Sequence, residues 1–178
     1  MKAYIFGYAS LVAAPRVARA VLRGHRRVWG VAMDNAVEVP GYKVYALPDG
    51  TRPPLAVAFL DLQDVDGAEV EGALLAVDAP GLAALDARER QYERVDVTPL
   101  IDPAPGAPVW AYTGRAPGRA RVAAGRAGTA TVAIQRSYLE QVQAAFAALG
   151  DDALARYRAS TEPPPFPVLD LTRIDLPG

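Results

Sequence analysis

The chain has no cysteine, one histidine and two methionines in 178 residues, and each scarcity narrows its chemistry. Without cysteine there is no disulfide, no thiol nucleophile and no cysteine-ligated metal. With His25 alone, a histidine-rich zinc site is out of reach, and a Ser-His-Asp triad would have to recruit this one residue. His25 lies in Gly24-His25-Arg26-Arg27, a basic setting that reads as surface. No apolar run approaches the ~20 residues needed to cross a bilayer as a helix. Gly7 and Tyr8 also break the first apolar stretch too early for a signal peptide. These absences lead to the expectation of a cytoplasmic protein with no membrane segment, no metal and no cofactor. Any proton chemistry would then rest on a carboxylate or a tyrosine.

What is present supports a folded chain. Apolar residues make up 51% of the sequence, enough to build a core, and the length suits a single domain over residues 1–178. The formal net charge of -1 hides local asymmetry. His25 to Arg27 and Arg115 to Arg126 are basic, while Asp61 to Glu71 is acidic. Neither basic stretch is interleaved with aromatics, so nucleic acid is not an expected partner.

The N-terminal two-thirds reads as short strands. They are expected at Lys2 to Phe6, Arg26 to Met33, Tyr42 to Leu47, Leu55 to Leu62, Glu69 to Val77, Tyr92 to Leu100 and Val109 to Thr113. Pro48-Asp49-Gly50 signals a turn, and Asp64-Val65-Asp66-Gly67 reads as a hairpin connection. Strands at this spacing predict a mainly antiparallel sheet closed, or nearly closed, into a barrel. One helix is expected from an Asp78 cap, with Pro80 in its first turn, to Glu89. A second is expected from Thr131 to Leu149, stopped by Gly150, with Tyr138, Val142, Ala145, Phe146 and Leu149 on one face. Asp151 or Asp152 would cap a further helix to about Ala159. The Pro-rich tail from about residue 162 to 178 is expected to be extended, with Val168 to Leu176 docked as an edge segment.

Two segments carry candidate chemistry. In Phe6-Gly7-Tyr8-Ala9-Ser10-Leu11 an apolar strand stops at Gly7, whose missing side chain permits unusual backbone angles. The small residues that follow leave N–H groups free to form an anion-binding nest, or simply make a strand-to-helix turn. On the first helix, Leu82 and Glu89 differ by about 20° around the axis, with Leu85 on the same side. Glu89 is therefore expected to point where the leucines point, with Arg88 and Arg90 on other sides. A carboxylate on an apolar face, near the negative end of a helix, suits general acid–base work. It equally suits a structural ion pair with Arg94 or another arginine. Tyr8, Tyr92 and Tyr112 are candidates either for packing or for orienting a substrate amide or carboxylate.

Phe6 to Leu11 resembles the Tyr-Gly-Ser-Leu signature that opens gamma-glutamylcyclotransferase-like proteins. Leu85-Asp86-Ala87-Arg88-Glu89, followed by Tyr92, Arg94, Val95 and Val97, resembles that family's second signature. There a Leu-Asp-x-x-Glu helix end leads into a Tyr-x-Arg-Val-x-Val strand. The resemblance spans about Lys2 to Thr113 and implies an α+β fold, a small mixed, mainly antiparallel β-barrel with flanking α-helices. It implies a reaction in which the α-amine of a gamma-glutamyl group attacks its own side-chain carbonyl, releasing 5-oxoproline and a free amine or amino acid. By the same resemblance Glu89 is the acid–base residue. Gly7, Tyr8, Ala9, Ser10 and Leu11 hold the glutamyl part, and Tyr92 and Tyr112 line the pocket. The partner is then a small gamma-glutamyl compound, and either a monomer or a homodimer fits. A non-catalytic module sensing a carboxylate metabolite in the same pocket is the alternative. Three departures stand out: Ala9 replaces a usual glycine, Val12-Ala13 replaces the tryptophan of the ChaC-type branch, and no glycine separates Glu89 from Tyr92. They point away from glutathione while leaving general gamma-glutamyl chemistry open.

Overall fold

The computed structural model describes residues 3–178, so the expected strand start at Lys2 lies outside the described residues. Ten strands and four α-helices follow in order. They are β1 (Ala3–Gly7), β2 (Ala18–Asp34), β3 (Lys43–Ala46), β4 (Ala56–Val77), α1 (Ala79–Arg88), β5 (Tyr92–Asp96), β6 (Ile101–Asp102) and β7 (Val109–Gly114). Then come α2 (Ala116–Arg126), β8 (Val132–Gln135), α3 (Arg136–Ala147), α4 (Asp151–Ala159), β9 (Val168–Leu169) and β10 (Thr172–Asp175).

The scaffold is a long antiparallel ribbon of β2 against β4, paired from Ala18↔Leu74 to Asp34↔Ala56. Near its middle the register slips: Arg23 faces Glu69 and His25 faces Asp64, so residues 65–68 stand opposite Gly24 alone. Gly24 and Gly67 both take positive φ there (74° and 73°), a conformation that costs glycine little. The Asp64 to Gly67 segment therefore does not separate two strands, as its turn chemistry suggested. It is an exposed irregularity in one strand, buried at both ends and exposed in the middle.

Such a bend lets one strand serve two neighbours. The C-terminal half of β4 pairs with β1 (Gly7↔Ala73), and its N-terminal end pairs in parallel with β8 (Ala56↔Val132). The sheet order is β5-β7-β1-β4-β2-β6, with β8 and β9 continuing from β4. The result is a mixed, curled half-barrel flanked by helices. β3 and β10 form a separate two-stranded sheet, with Lys43 opposite Asp175 and Tyr45 opposite Arg173.

Two apolar clusters hold these parts. The larger contains Ile5, Phe6, Leu22, Trp29, Leu60, Val142 and Phe146; the smaller joins Tyr45 and Leu171 to Val31, Met33, Val57 and Phe59. The smaller cluster seats the β3–β10 sheet on the ribbon. Fully buried Asn35 pins it, donating to the carbonyls of Tyr45 (2.8 Å) and Pro53 (3.0 Å) and accepting from the Tyr45 N–H (2.7 Å).

The helices differ from expectation in two places. Thr131 to Leu149 is not one helix: Val132–Gln135 is a fully buried strand, and the helix begins at Arg136. The basic stretch from Arg115 to Arg126 folds as α2 against β2, burying Gly118 and Val122. The expected face of α3 is present, with Val142, Ala145 and Phe146 buried. α4 also forms, but Gly150 occupies its cap position rather than Asp151 or Asp152. Among the described residues, no helix is long and apolar enough to cross a membrane.

Candidate active site

β1 delivers the Tyr8 to Leu11 loop to the rim of a cleft. After Gly7 the chain turns through a single 3-10 turn, Ser10–Ala13, in which the Val12 N–H donates to the Ala9 carbonyl (3.0 Å). Ala9 has φ −134°, so its methyl group meets no left-handed backbone requirement. Gly7 does not take positive φ either. What it supplies is a close approach: a Cβ there would lie 3.0 Å from the Leu11 Cβ and 3.1 Å from Leu75.

The loop is held from beneath by Arg27, which is fully buried. Its Nε donates to the Tyr8 carbonyl (2.6 Å), one terminal nitrogen donates to the Glu71 carbonyl, and the other to the Ser160 Oγ (2.7 Å). Its guanidinium carbon lies 4.6 Å from the centre of the Phe146 ring and 5.1 Å from that of Tyr157. Burial lowers the group to about 9, opposed by Tyr157 and Glu71, so it remains charged at neutral pH. The Tyr8 hydroxyl is also committed, donating to the Tyr112 carbonyl (2.7 Å). Tyr8 thus builds the loop with its side chain and faces the cleft at its edge.

Across the cleft stands Glu89. Asp78 caps α1 by accepting from the Gly81 N–H (2.8 Å), and Pro80 fits its first turn. The helix ends at Arg88, and Glu89 is its C-cap, with φ −85° and ψ 52°. Its N–H still donates to the Leu85 carbonyl (2.9 Å), so the side chain keeps its helical direction beside half-buried Leu82 and Leu85 and lines the cleft, 18% exposed. Its Oε1 accepts from the Arg88 Nε (2.9 Å) and a terminal nitrogen (2.8 Å). Arg88 was expected on another side, whereas Arg94 pairs with Asp86 (2.9 Å), which also accepts from the Tyr112 hydroxyl (2.8 Å).

The cleft has a volume of about 850 Å³. It brings together Tyr8, Ala9, Ser10, Leu11, Glu89, Tyr92 and Tyr112, all named from the sequence; Gly7 lies just behind the loop. The Tyr92 hydroxyl donates to the Leu60 carbonyl (2.9 Å), while the Tyr138 hydroxyl accepts from the Leu60 N–H (3.4 Å). Burial raises the hydroxyls of Tyr8, Tyr92, Tyr112 and Tyr138, and nearby carboxylates add to the effect. They remain protonated, so they can orient a ligand but cannot act as bases at neutral pH.

Sequence reasoning missed one wall. Lys43, Arg173 and Asp175 line the cleft from the β3–β10 sheet, and Gln135 and Tyr138 line it from β8 and α3. Tyr138 carried a signal, its place on the apolar face of a helix. Lys43 and Arg173 carried none, because they meet only through pairing of strands about 130 residues apart.

Comparison with known proteins places this geometry in context. A family model described as gamma-glutamyl cyclotransferase, AIG2-like, matches residues 5–126. No curated protein sequence matches the chain. Among solved structures, one titled gamma-glutamyl cyclotransferase superposes with a TM-score of 0.55 at 10% identity, covering 93% of this chain and 91% of the other. An uncharacterized protein from Homo sapiens gives 0.56 at 12% identity, with 95% and 93% covered. YkqA from Bacillus subtilis gives 0.52 at 17% identity, covering 89% of this chain and 53% of that one. At such identities these likenesses speak for the fold. The family match spans both the Tyr8 to Leu11 loop and Glu89, and on it the chain belongs to the AIG2-like gamma-glutamyl cyclotransferase family.

Proposed function

We propose that the chain releases 5-oxoproline from a gamma-glutamyl compound by intramolecular cyclisation, with Glu89 as the acid–base residue. The observation that carries this reading is the carboxylate's position. Glu89 and Asp175 are the two acids lining the cleft; each is paired with an arginine, but Glu89 is 18% exposed and Asp175 70%. Tyr92, three residues after Glu89, shares the Leu60 carbonyl with Tyr8 of the loop, the two hydroxyls lying 2.9 and 3.5 Å from it.

In the proposed reaction the loop's backbone groups hold the glutamyl part. Glu89 takes a proton from the substrate α-ammonium, and the freed amine attacks the substrate's own γ-carbonyl carbon. The new C–N bond closes the five-membered ring. Glu89 passes that proton to the departing nitrogen as the original amide bond breaks, then takes the second proton from the ring nitrogen and hands it to the departing amine, which leaves as an ammonium; no water is consumed. The nucleophile belongs to the substrate, so the protein's tasks are to fold the substrate and carry protons from the attacking to the departing nitrogen. Neither a thiol nor an imidazole is required of the protein, in keeping with its composition.

The test is to incubate purified protein with gamma-glutamyl amino acids and amines and to assay 5-oxoproline. Glu89→Gln should lower kcat by about 10²-fold or more, the usual scale for removing a general base, with an unchanged thermal midpoint. Turnover preserved in that variant would exclude the mechanism. Binding without turnover by the unaltered protein would instead mark a carboxylate-sensing module.

A further inference from the structure

The β3–β10 wall holds a charge that the reaction above does not use. The ammonium of Lys43 lies 4.7 Å from the centre of the Phe59 ring, 5.5 Å from that of Tyr42 and 5.9 Å from that of Tyr45. Among the described residues it has neither an ion-pair partner nor a hydrogen bond. The other cations around the cleft are engaged: Arg88 by Glu89, Arg173 by Asp175 and Arg90 by the Pro40 carbonyl. An ammonium half withdrawn from water, with aromatic faces around it and the Asp175 of the paired strand already bonded to Arg173, has no anion of its own and can satisfy its charge with one entering the cleft.

Its position says which part of a substrate it would meet. At the end of α1, Arg90 donates to the Pro40 carbonyl (3.0 Å) and lies 5.4 Å from the Tyr42 ring next to Lys43. The Tyr92 hydroxyl shares the Leu60 carbonyl with that of Tyr8 (2.9 and 3.5 Å), so Glu89 stands between the loop and the Lys43 wall. A glutamyl group in the Tyr8 to Leu11 loop, with its amide at Glu89, therefore directs its leaving group toward Lys43. We propose that Lys43 binds a carboxylate on the leaving group, so that the substrates are gamma-glutamyl amino acids rather than gamma-glutamylamines. The inference rests on the cyclotransferase reading above. The bond broken is then the one to the amino acid's α-nitrogen, and the product beside 5-oxoproline is a free α-amino acid.

Gamma-glutamylalanine and gamma-glutamylethylamine make a matched pair, since they differ only by that carboxylate. The unaltered protein should turn over gamma-glutamylalanine with a kcat/KM about tenfold or more above that for the amine, the scale of one well-placed charged contact. Lys43→Met should raise KM for gamma-glutamylalanine about tenfold with little change in kcat, and leave the amine within about twofold. Lys43→Arg should retain the preference. Equal losses on both substrates would overturn the proposal, because Lys43 would then hold the glutamyl carboxylate or the fold. No loss on either would overturn it as well.

Calorimetric Kd values for the same two compounds on Glu89→Gln protein, with and without Lys43→Met, separate this inference from the reading beneath it. If 5-oxoproline never forms but the Kd of gamma-glutamylalanine alone depends on Lys43, the catalytic reading fails and the carboxylate subsite stands. If 5-oxoproline forms and neither Kd nor KM depends on Lys43, the reaction stands and the subsite fails.

Discussion

Lys43 carries its charge into the cleft under constraint, and that constraint gives its proposed binding role a pH signature. Burial lowers the ammonium to about 8, and the Arg173 guanidinium on the paired strand pushes the same way. Glu89 and Asp175 oppose the shift, and Arg88 adds to it. The sign follows directly. At neutral pH Lys43 is charged and able to hold a carboxylate, and as pH rises through about 8 it becomes neutral and loses that ability. KM for gamma-glutamylalanine should therefore climb above this pH, while KM for gamma-glutamylethylamine stays nearly flat. Lys43→Arg should flatten the first curve, because a guanidinium on this wall keeps its proton. Initial rates from pH 6 to pH 10 for both compounds decide it, and parallel curves would remove Lys43 as the titrating group.

At the level of elements, the legible parts were those whose signal is local. Asp78 and Pro80 mark the start of α1, and the apolar stripe on α3 is visible in its own sequence. The two site segments were legible too, as short motifs on β1 and at the end of α1. The parts misread are those decided by distant partners. Asp64 to Gly67 carries turn residues, yet β2 runs alongside and keeps β4 continuous. The buried run Val132–Gln135 is as apolar as a helix face, and only its pairing with β4 and β9 makes it a strand. α2 hides behind Gly118 and Gly125, residues that weaken a helix unless close packing requires them, and it has no capping side chain. Lys43 and Arg173 stayed invisible for the same reason, since the wall they form is a tertiary product. The loop has a tertiary constraint of its own at Gly72 on β4. A Cβ there would strike the Gly7 carbonyl and come within 2.6 Å of the Phe6 ring. Gly72→Ala must shift the backbone under the loop, and it should cost about 1–3 kcal/mol of stability, as overpacking usually does. It should also raise KM for every gamma-glutamyl substrate alike, because the glutamyl end is displaced. Urea denaturation with steady-state kinetics checks both, and wild-type KM values would show that the loop adapts.

Across the whole molecule, one buried carboxylate ties α4 to the strand ribbon. Glu71 on β4 accepts from Arg19 of β2 (2.6 Å) and from Arg156 of α4, and Arg156 also pairs with Asp152 on the same helix. The backbone carbonyl of Glu71 takes the Arg27 guanidinium that supports the Tyr8 to Leu11 loop. One residue therefore links the helical face to the candidate site. Burial alone would raise the Glu71 carboxyl, but the hydrogen bonds from Arg156 and Arg19 outweigh it and hold the group below its ordinary value. A carboxylate depressed in the folded state stabilises the fold above its unfolded value of about 4.3, and that contribution fades as pH falls through the folded value. Glu71→Gln should therefore cost about 2 kcal/mol at neutral pH, the scale of lost hydrogen bonds to charged groups at a partly screened site. The difference should shrink as pH drops below about 4, where the native protein loses the same interaction by protonation. Urea midpoints for both proteins from neutral pH to about pH 3 would show the two curves converging. A constant offset across that range would mean that Glu71 acts through packing alone, and the acid sensitivity of the fold would have to come from other carboxylates.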